Sequence, residues 1–241
     1  LSVMRPSILP SLMAAAARNQ DRGEADVNLF EVGPVFLGDA PDDQRTACGG
    51  IRHGTTAIRE WHGNQRKVDV FDAKADAEAA LAALGVRTGG LKVSIGGADY
   101  LHPGRSGQLV QGRTVLASFG EIHPKILDDF GLRGVAVGFE MHLDDVPLPK
   151  AKGPARALLK MSVFQPVTRD FAFIVDNETA AGDLLKAVRS GAGPLLSDIA
   201  VFDVYQGENI EAGKKSVAVT ITLSPSKATL TDDEIDQISN S

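Results

Sequence analysis

The order of periodicities between residues 164 and 230 narrows the fold of this chain more than any other feature. Residues 167–175 alternate as a strand, and residues 179–190 place Leu184, Leu185 and Val188 on one stripe of an amphipathic helix. Residues 199–205 and 216–223 are two further strands, and residues 230–238 open a second helix. The order β-α-β-β-α is that of a ferredoxin-like split βαβ unit lacking only its last strand. The expected class for this part of the chain is therefore α+β.

Alternation assigns the faces. Successive side chains on a strand point to opposite sides, so Ala200, Phe202 and Val204 are expected on one face and Val201, Asp203 and Tyr205 on the other. In the next strand Val217, Val219, Ile221 and Leu223 make the apolar face, and Ser216, Ala218, Thr220 and Thr222 the polar one. With the apolar faces against the helices, Asp203, Tyr205 and Ser216 stand together on the open face, and a hairpin through residues 206–215 makes them cross-strand neighbours. An acceptor, an aromatic plate and a hydroxyl on an uncovered sheet suit a flat polar group, and unpaired nucleotide bases are read in this way. The plainer alternative is a strand aromatic at 205 and a solvated turn residue at 203.

Several multi-residue motifs carry a family resemblance. Phe164-Gln165-Pro166-Val167-Thr168-Arg169-Asp170-Phe171-Ala172, Phe202-Asp203-Val204-Tyr205-Gln206-Gly207, Gly213-Lys214-Lys215-Ser216 and Thr229-Leu230-Thr231-Asp232 closely resemble the C-terminal anticodon-binding domain of bacterial phenylalanyl-tRNA synthetase beta subunits. In that family the aspartate and tyrosine of Phe-Asp-x-Tyr, and the serine after Gly-x-Lys, contact the first anticodon base. The resemblance puts those roles on Asp203, Tyr205 and Ser216.

Earlier motifs extend it. Arg5-Pro6-Ser7-Ile8-Leu9-Pro10 opens a helix with Pro10 in its first turn and Leu9, Leu12, Met13 and Ala16 as its stripe, ended by Gly23. A buried strand over 27–36 contains Phe30-Glu31-Val32-Gly33. These resemble the class II synthetase-like core of the same subunit; from the residues alone, Arg5 reads as a surface or cap residue and Glu31 as a satisfied strand carboxylate. Residues 44–53 form another strand, and Trp61 is expected to pack at a domain edge. Asp72 is a plausible N-cap for a helix over 73–84, with Gly85 as its stop. After a strand over 91–95 comes Leu101-His102-Pro103-Gly104-Arg105-Ser106-Gly107, and then Gly120-Glu121-Ile122-His123-Pro124. The family carries His-Pro-Gly-Arg at this spacing but alanine where Gly107 stands. A phosphate cradle over 104–107 is conceivable, and a structural turn is the preferred reading. In catalytic class II synthetases a strand like 135–141 leads into Glu-Arg, whose arginine binds ATP. Here Met141 follows Glu140, which implies a non-catalytic copy.

Composition limits the alternatives. With 43% apolar and 23% charged residues the chain is a folded globular protein. No apolar run nears the roughly 20 residues of a membrane span, and no signal-peptide pattern opens the sequence. The single cysteine, Cys48, suits a reducing cytoplasm, and is expected as core filler. The net charge is −6, and residues 155–241 hold eight Lys and Arg against twelve Asp and Glu. Such a chain does not grip nucleic acid mainly through phosphates. The resemblance therefore asks for base contact by a few side chains, with the phosphate grip supplied elsewhere in an assembly.

Other chemistries find no support. His53, His62, His102, His123 and His142 form no pair at metal-ligand spacing, and there is no Gly-x-Ser-x-Gly elbow. Gly207 and Gly213-Lys214-Lys215-Ser216 fail the phosphate-loop spacing. A regulatory module binding a small molecule is disfavoured because Asp176-Asn177-Glu178-Thr179 stands where a glycine-rich ligand loop belongs.

The expected organisation is an antiparallel, class II synthetase-like, pseudo-catalytic domain over 1–147, a Pro-, Lys- and Ala-rich linker over 148–160, and the ferredoxin-like domain over 161–241, truncated before its closing strand. The resemblance implies a piece of a phenylalanine–tRNA ligase of α2β2 form, joining phenylalanine to tRNA(Phe) with ATP and magnesium at the alpha subunit. It implies that the editing and N-terminal tRNA-binding modules precede Leu1. The chain itself is expected to be non-catalytic, to bind no cofactor, to dock the alpha subunit and tRNA(Phe), and to have no membrane contact.

Overall fold

The computed structural model describes residues 3–57, 60–63, 65–147, 162–225 and 229–230. The expected linker at 148–160, and the second helix beyond Leu230, lie outside the described residues. The chain divides into two compact units, Leu1–Lys152 and Gly153–Ser241.

The first unit runs α1 (Leu9–Asp21), β1 (Val27–Phe36), β2 (Gln44–His53), α2 (Val70–Ala83), β3 (Lys92–Ile95), β4 (Leu101–Gln111), β5 (Thr114–Ile122), α3 (Pro124–Phe130) and β6 (Ala136–His142). Its six strands form one antiparallel sheet in the order β1-β2-β6-β5-β4-β3. The α1 stripe of Leu9, Leu12, Met13 and Ala16 is buried with Val35, Ala47, Ile51 and Ile122. Ala73, Ala77 and Leu81 of α2 are buried with Leu109, Phe119, Val137, Phe139 and Met141. Partners directly opposite on antiparallel strands share a face, so the registers Ile51–Gly138 and Cys48–Met141 put the two helices on opposite sides of the sheet. Fully burying each Leu, Ile, Val or Phe contributes about 1.5–3 kcal/mol, and these two layers hold the unit together.

Polar groups fix the helix ends. Buried Glu140 accepts hydrogen bonds from the Ile8 amide at 2.6 Å, the Ser7 hydroxyl at 2.9 Å and the Tyr100 hydroxyl at 3.2 Å. The Ile8 amide is one of the donors a helix start leaves unpaired. Gly138 lets α1 approach, since a Cβ there would lie 2.9 Å from the Gly50 carbonyl and 3.3 Å from Leu9. The start of α2 departs from expectation. Asp69, not Asp72, is the N-cap, accepting from the Phe71 amide at 2.8 Å. Asp72 is the third helical residue and accepts from the Asp69 amide at 2.8 Å, closing a capping box. The expected turn over 104–107 is also corrected. These residues lie within β4, and the register jumps from Leu101–Ile122 to Ser106–Gly120, so residues 102–105 bulge from the ladder. Trp61 is 95% exposed rather than packed at an edge.

The second unit runs β7 (Val167–Asp176), α4 (Ala181–Ala192), β8 (Leu196–Tyr205) and β9 (Lys214–Leu223). Its sheet is antiparallel in the order β7-β9-β8, the arrangement of the first three strands of a ferredoxin-like fold. Val217, Val219, Ile221 and Leu223 are buried, and Leu184, Leu185 and Val188 of α4 pack against them. The chain is thus α+β, with an antiparallel-sheet unit followed by a ferredoxin-like unit.

Candidate functional site

Among the described residues of the second unit, none covers the side of the sheet away from α4, and its side chains fall into rows across the three strands. Ile174, Ser216 and Tyr205 form one row, because Ser216 is the partner of both Ile174 and Tyr205. Ala172, Ala218 and Asp203 form the next, and Asp170, Thr220 and Ala200 the third. Thr220 donates a hydrogen bond to Asp170. Asp203, Tyr205 and Ser216 therefore share the open face, as alternation requires of β9.

The route by which β8 reaches that face differs from simple alternation. Ile199 pairs with Ile221 and Val201 with Val219, so both point toward α4, and Ala200 points outward. The register then skips from Val201–Val219 to Asp203–Ala218, leaving Phe202 as the extra residue of a β-bulge. Beyond the bulge Val204 pairs with Val217 on the helix side, while Asp203 and Tyr205 turn outward. The expected faces are thus wrong before the bulge and right after it. Phe202, expected in the core, is 58% exposed.

The turn after β8 supports Tyr205. Its ring, 47% exposed, lies against the backbone of Gly207, where a Cβ would meet the Tyr205 hydroxyl at 2.5 Å and ring at 2.8 Å. Its hydroxyl donates to the Glu208 carbonyl at 3.3 Å. Gln206 donates to the Asn177 side chain at 2.9 Å and Lys215 to the Asn177 carbonyl at 2.8 Å, tying this turn to the one before α4. The outcome is a preset aromatic plate beside a hydroxyl (Ser216) and one row from a carboxylate (Asp203). Such a set can stack on a flat ring and offer its edge one acceptor-only group and one donor–acceptor group. Ile174, Gly207 and Asn177 had no expected role in this site. Ile174 left a signal, an isoleucine at an open-face position of β7 otherwise occupied by Thr168, Asp170 and Ala172.

The first unit has a cleft of about 310 Å³ lined by Tyr100, Ser118, Glu140, His142 and Asp145 among others. The Glu140 carboxylate there is already engaged by α1 and Tyr100. Burial and the Glu140 charge push the Tyr100 hydroxyl well above its ordinary pKa, so it stays a neutral donor. Met141, where the resemblance to catalytic class II synthetases leads one to expect an ATP-binding arginine, is buried under α2. A guanidinium there would point into the core, so this position does not suit a nucleotide phosphate. Cys48 is half-buried, and burial raises its thiol pKa, which opposes a nucleophilic role. Among the described residues no group of three or more His, Cys, Asp and Glu side chains suits a metal ion. Among them, too, no helix is long and apolar enough to cross a membrane.

Comparison with known proteins matches the two units separately. The family described as phenylalanyl tRNA synthetase beta chain CLM domain matches residues 1–143, and that described as ferredoxin-fold anticodon binding domain matches residues 162–241. The phenylalanine–tRNA ligase beta subunit of Rhodospirillum rubrum is 49% identical over 240 residues, covering 99% of this chain and 30% of the relative. That of Brucella suis is 46% identical over 245 residues, with the same shares. The chain thus spans about 30% of the length of the curated relatives it matches. A solved pyrrolysyl-tRNA synthetase from Desulfitobacterium hafniense covers 59% of this chain and 48% of its own at 18% identity, with a TM-score of 0.44. On the two family matches and the identities to these relatives, the chain belongs to the phenylalanyl-tRNA synthetase beta chain family.

Proposed function

We propose that this chain is the portion of a cytoplasmic phenylalanine–tRNA ligase beta subunit that reads the tRNA(Phe) anticodon and holds the alpha subunit. The observation that carries the first role is the cross-strand pair Tyr205–Ser216 with Asp203 in the adjoining row, all on the uncovered face. Tyr205 stacks on the first anticodon base. Asp203 accepts from the donors on that base's edge, and Ser216 bonds beside it. A carboxylate accepts only, so this seat favours an edge that presents N–H groups. The acidic balance of the unit fits a reader that contributes base contacts and leaves phosphate neutralisation to other parts of the enzyme.

The second role rests on β1. It is an edge strand of ten residues, and Phe30, 80% exposed, and Val32 stand out from the side that α2 leaves open. A long apolar edge is a surface that soluble proteins cover, and in this proposal the alpha subunit covers it. The ATP and magnesium chemistry then belongs to the alpha subunit, consistent with Met141 in place of an arginine.

The test is Tyr205→Ala in the full-length beta subunit assembled with its alpha subunit. Stacking on an aromatic is worth about 1–3 kcal/mol per base, so KM for tRNA(Phe) should rise about tenfold or more. Phenylalanine-dependent ATP–pyrophosphate exchange should stay unchanged. A normal KM for tRNA would refute the anticodon role.

A further inference from the structure

The open face of the second unit extends beyond the three polar and aromatic groups, and what lies there is apolar. Ile174 stands in the same row as Tyr205, with only the small Ser216 between them. It is 61% exposed, although isoleucine is among the residue types most often buried. The next row places Ala172 and Ala218 beside it, so no bulky side chain rises between Ile174 and the strand that carries Tyr205. Neighbouring strands lie about 4.8 Å apart, which sets Ile174 two strands, about 10 Å, from Tyr205. That is within one nucleotide step of a splayed single strand.

The surroundings distinguish a base seat from a protein-docking patch. The apolar area beside Ile174 amounts to that isoleucine and two alanines, rimmed by Ser216, Asp203 and the Asp170–Thr220 hydrogen bond on one side and by the Asp176–Lys214 row on the other. A stable protein contact needs about 800 Å² per partner, many times what these side chains offer. A nucleobase is the flat group of matching size, and open RNA-binding sheets seat two or three bases side by side.

We propose that Ile174, with Ala172 and Ala218 as its floor, is a second seat on this sheet, holding the nucleobase next in the chain to the one stacked on Tyr205. The inference rests on the anticodon-reading role proposed above. Tyr205 and Ile174 then act as two plates across Ser216, one aromatic and one aliphatic. An aliphatic plate covers the face of any base and reads no edge, so Ile174 contributes affinity and orders the loop without setting sequence.

The experiment measures tRNA(Phe) binding by the full-length beta subunit assembled with alpha, comparing wild type with Ile174→Ser, Ile174→Tyr and Tyr205→Ala. Both Ile174 variants should fold, since the side chain is exposed. Ile174→Ser should weaken binding about fivefold, the effect of uncovering an aliphatic face of this size, and Ile174→Tyr should hold or tighten it. With transcripts made abasic on either side of the first anticodon nucleotide, the Ile174→Ser effect should vanish for one of the two and persist for the other. Unchanged binding by Ile174→Ser, with Tyr205→Ala defective, overturns the second seat and leaves the first standing. Unchanged binding by both overturns the anticodon role itself. An Ile174→Ser effect that persists with both abasic transcripts, or appears only as loss of subunit assembly, shows that Ile174 packs against protein and also overturns the seat.

Discussion

Tyr205 sits directly opposite Ser216 across the β8–β9 ladder, and the bulge at Phe202 is what brings it there. If β8 kept Phe202 in regular alternation, with no bulge, the inward positions Ile199 and Val201 would continue to 203 and 205, burying the carboxylate and the tyrosine under α4. The motif Phe-Asp-Val-Tyr thus contains both the seat and the device that aims it. Deletion of Phe202 joins Val201 directly to Asp203 and keeps Asp203 opposite Ala218 and Tyr205 opposite Ser216, so tRNA(Phe) binding should survive the deletion. Phe202→Ala keeps the residue count and removes an exposed ring, so it should change stability by at most about 1 kcal/mol. A thermal melt of Phe202→Ala distinguishes this from a core role, for which the substitution would cost about 3–5 kcal/mol.

Asp203 should act through its charge. Asp203→Asn keeps the shape but replaces one acceptor oxygen with a donor. Discrimination against tRNAs altered at the first anticodon position should fall, and the melting temperature should hold because the side chain is exposed. Equal discrimination by the variant and wild type would remove Asp203 from the seat.

The start of α2 should be sensitive to acid. Arg66 donates two hydrogen bonds to Asp72, at 2.7 and 2.8 Å, and holds its carboxyl below the ordinary carboxylate range, aided by the Asp69 amide. A carboxyl with a depressed folded pKa contributes stability above its unfolded pKa of about 4, and that contribution is lost as pH falls through the folded value. Asp72→Asn should therefore lower stability at pH 7 by about 1 kcal/mol. The gap between variant and wild type should narrow steadily below about pH 4. Melts across that range check both the size and the sign.

Phe30→Asp should uncouple the subunits. The side chain is already in solvent, so the variant should fold, but a charge on the β1 edge should stop alpha subunit from co-purifying. Normal co-purification would place the interface elsewhere.

Most of the architecture could be read from periodicity, because apolar stripes and glycine stops are local. The α1 stripe of Leu9, Leu12, Met13 and Ala16 and the stop at Gly85 are of this kind. The faces of β9 followed from strict alternation. What escaped depended on pairing between strands. The bulge in β8 shows only as a change in apolar spacing, Ile199 to Val201 and then to Val204, which a period of two overlooks. Residues 104–107 read as a free turn because of their glycines, yet they lie within β4, with residues 102–105 bulging from its pairing with β5. Asp72 looked like a cap because Asp69, three residues earlier, was not weighed against it. Trp61 was expected to be packed because large aromatics usually are, and nothing local marks one that is not.

The most direct test of base stacking on Tyr205 is a double-mutant cycle between protein and RNA. Binding of wild-type and Tyr205→Ala enzyme is measured with tRNA(Phe) and with the same transcript made abasic at the first anticodon position. If the base stacks on Tyr205, each change alone weakens binding about tenfold or more, and the two together weaken it no further. If the losses multiply, the tyrosine and the base act independently, and the open face of β8 and β9 is not the anticodon reader.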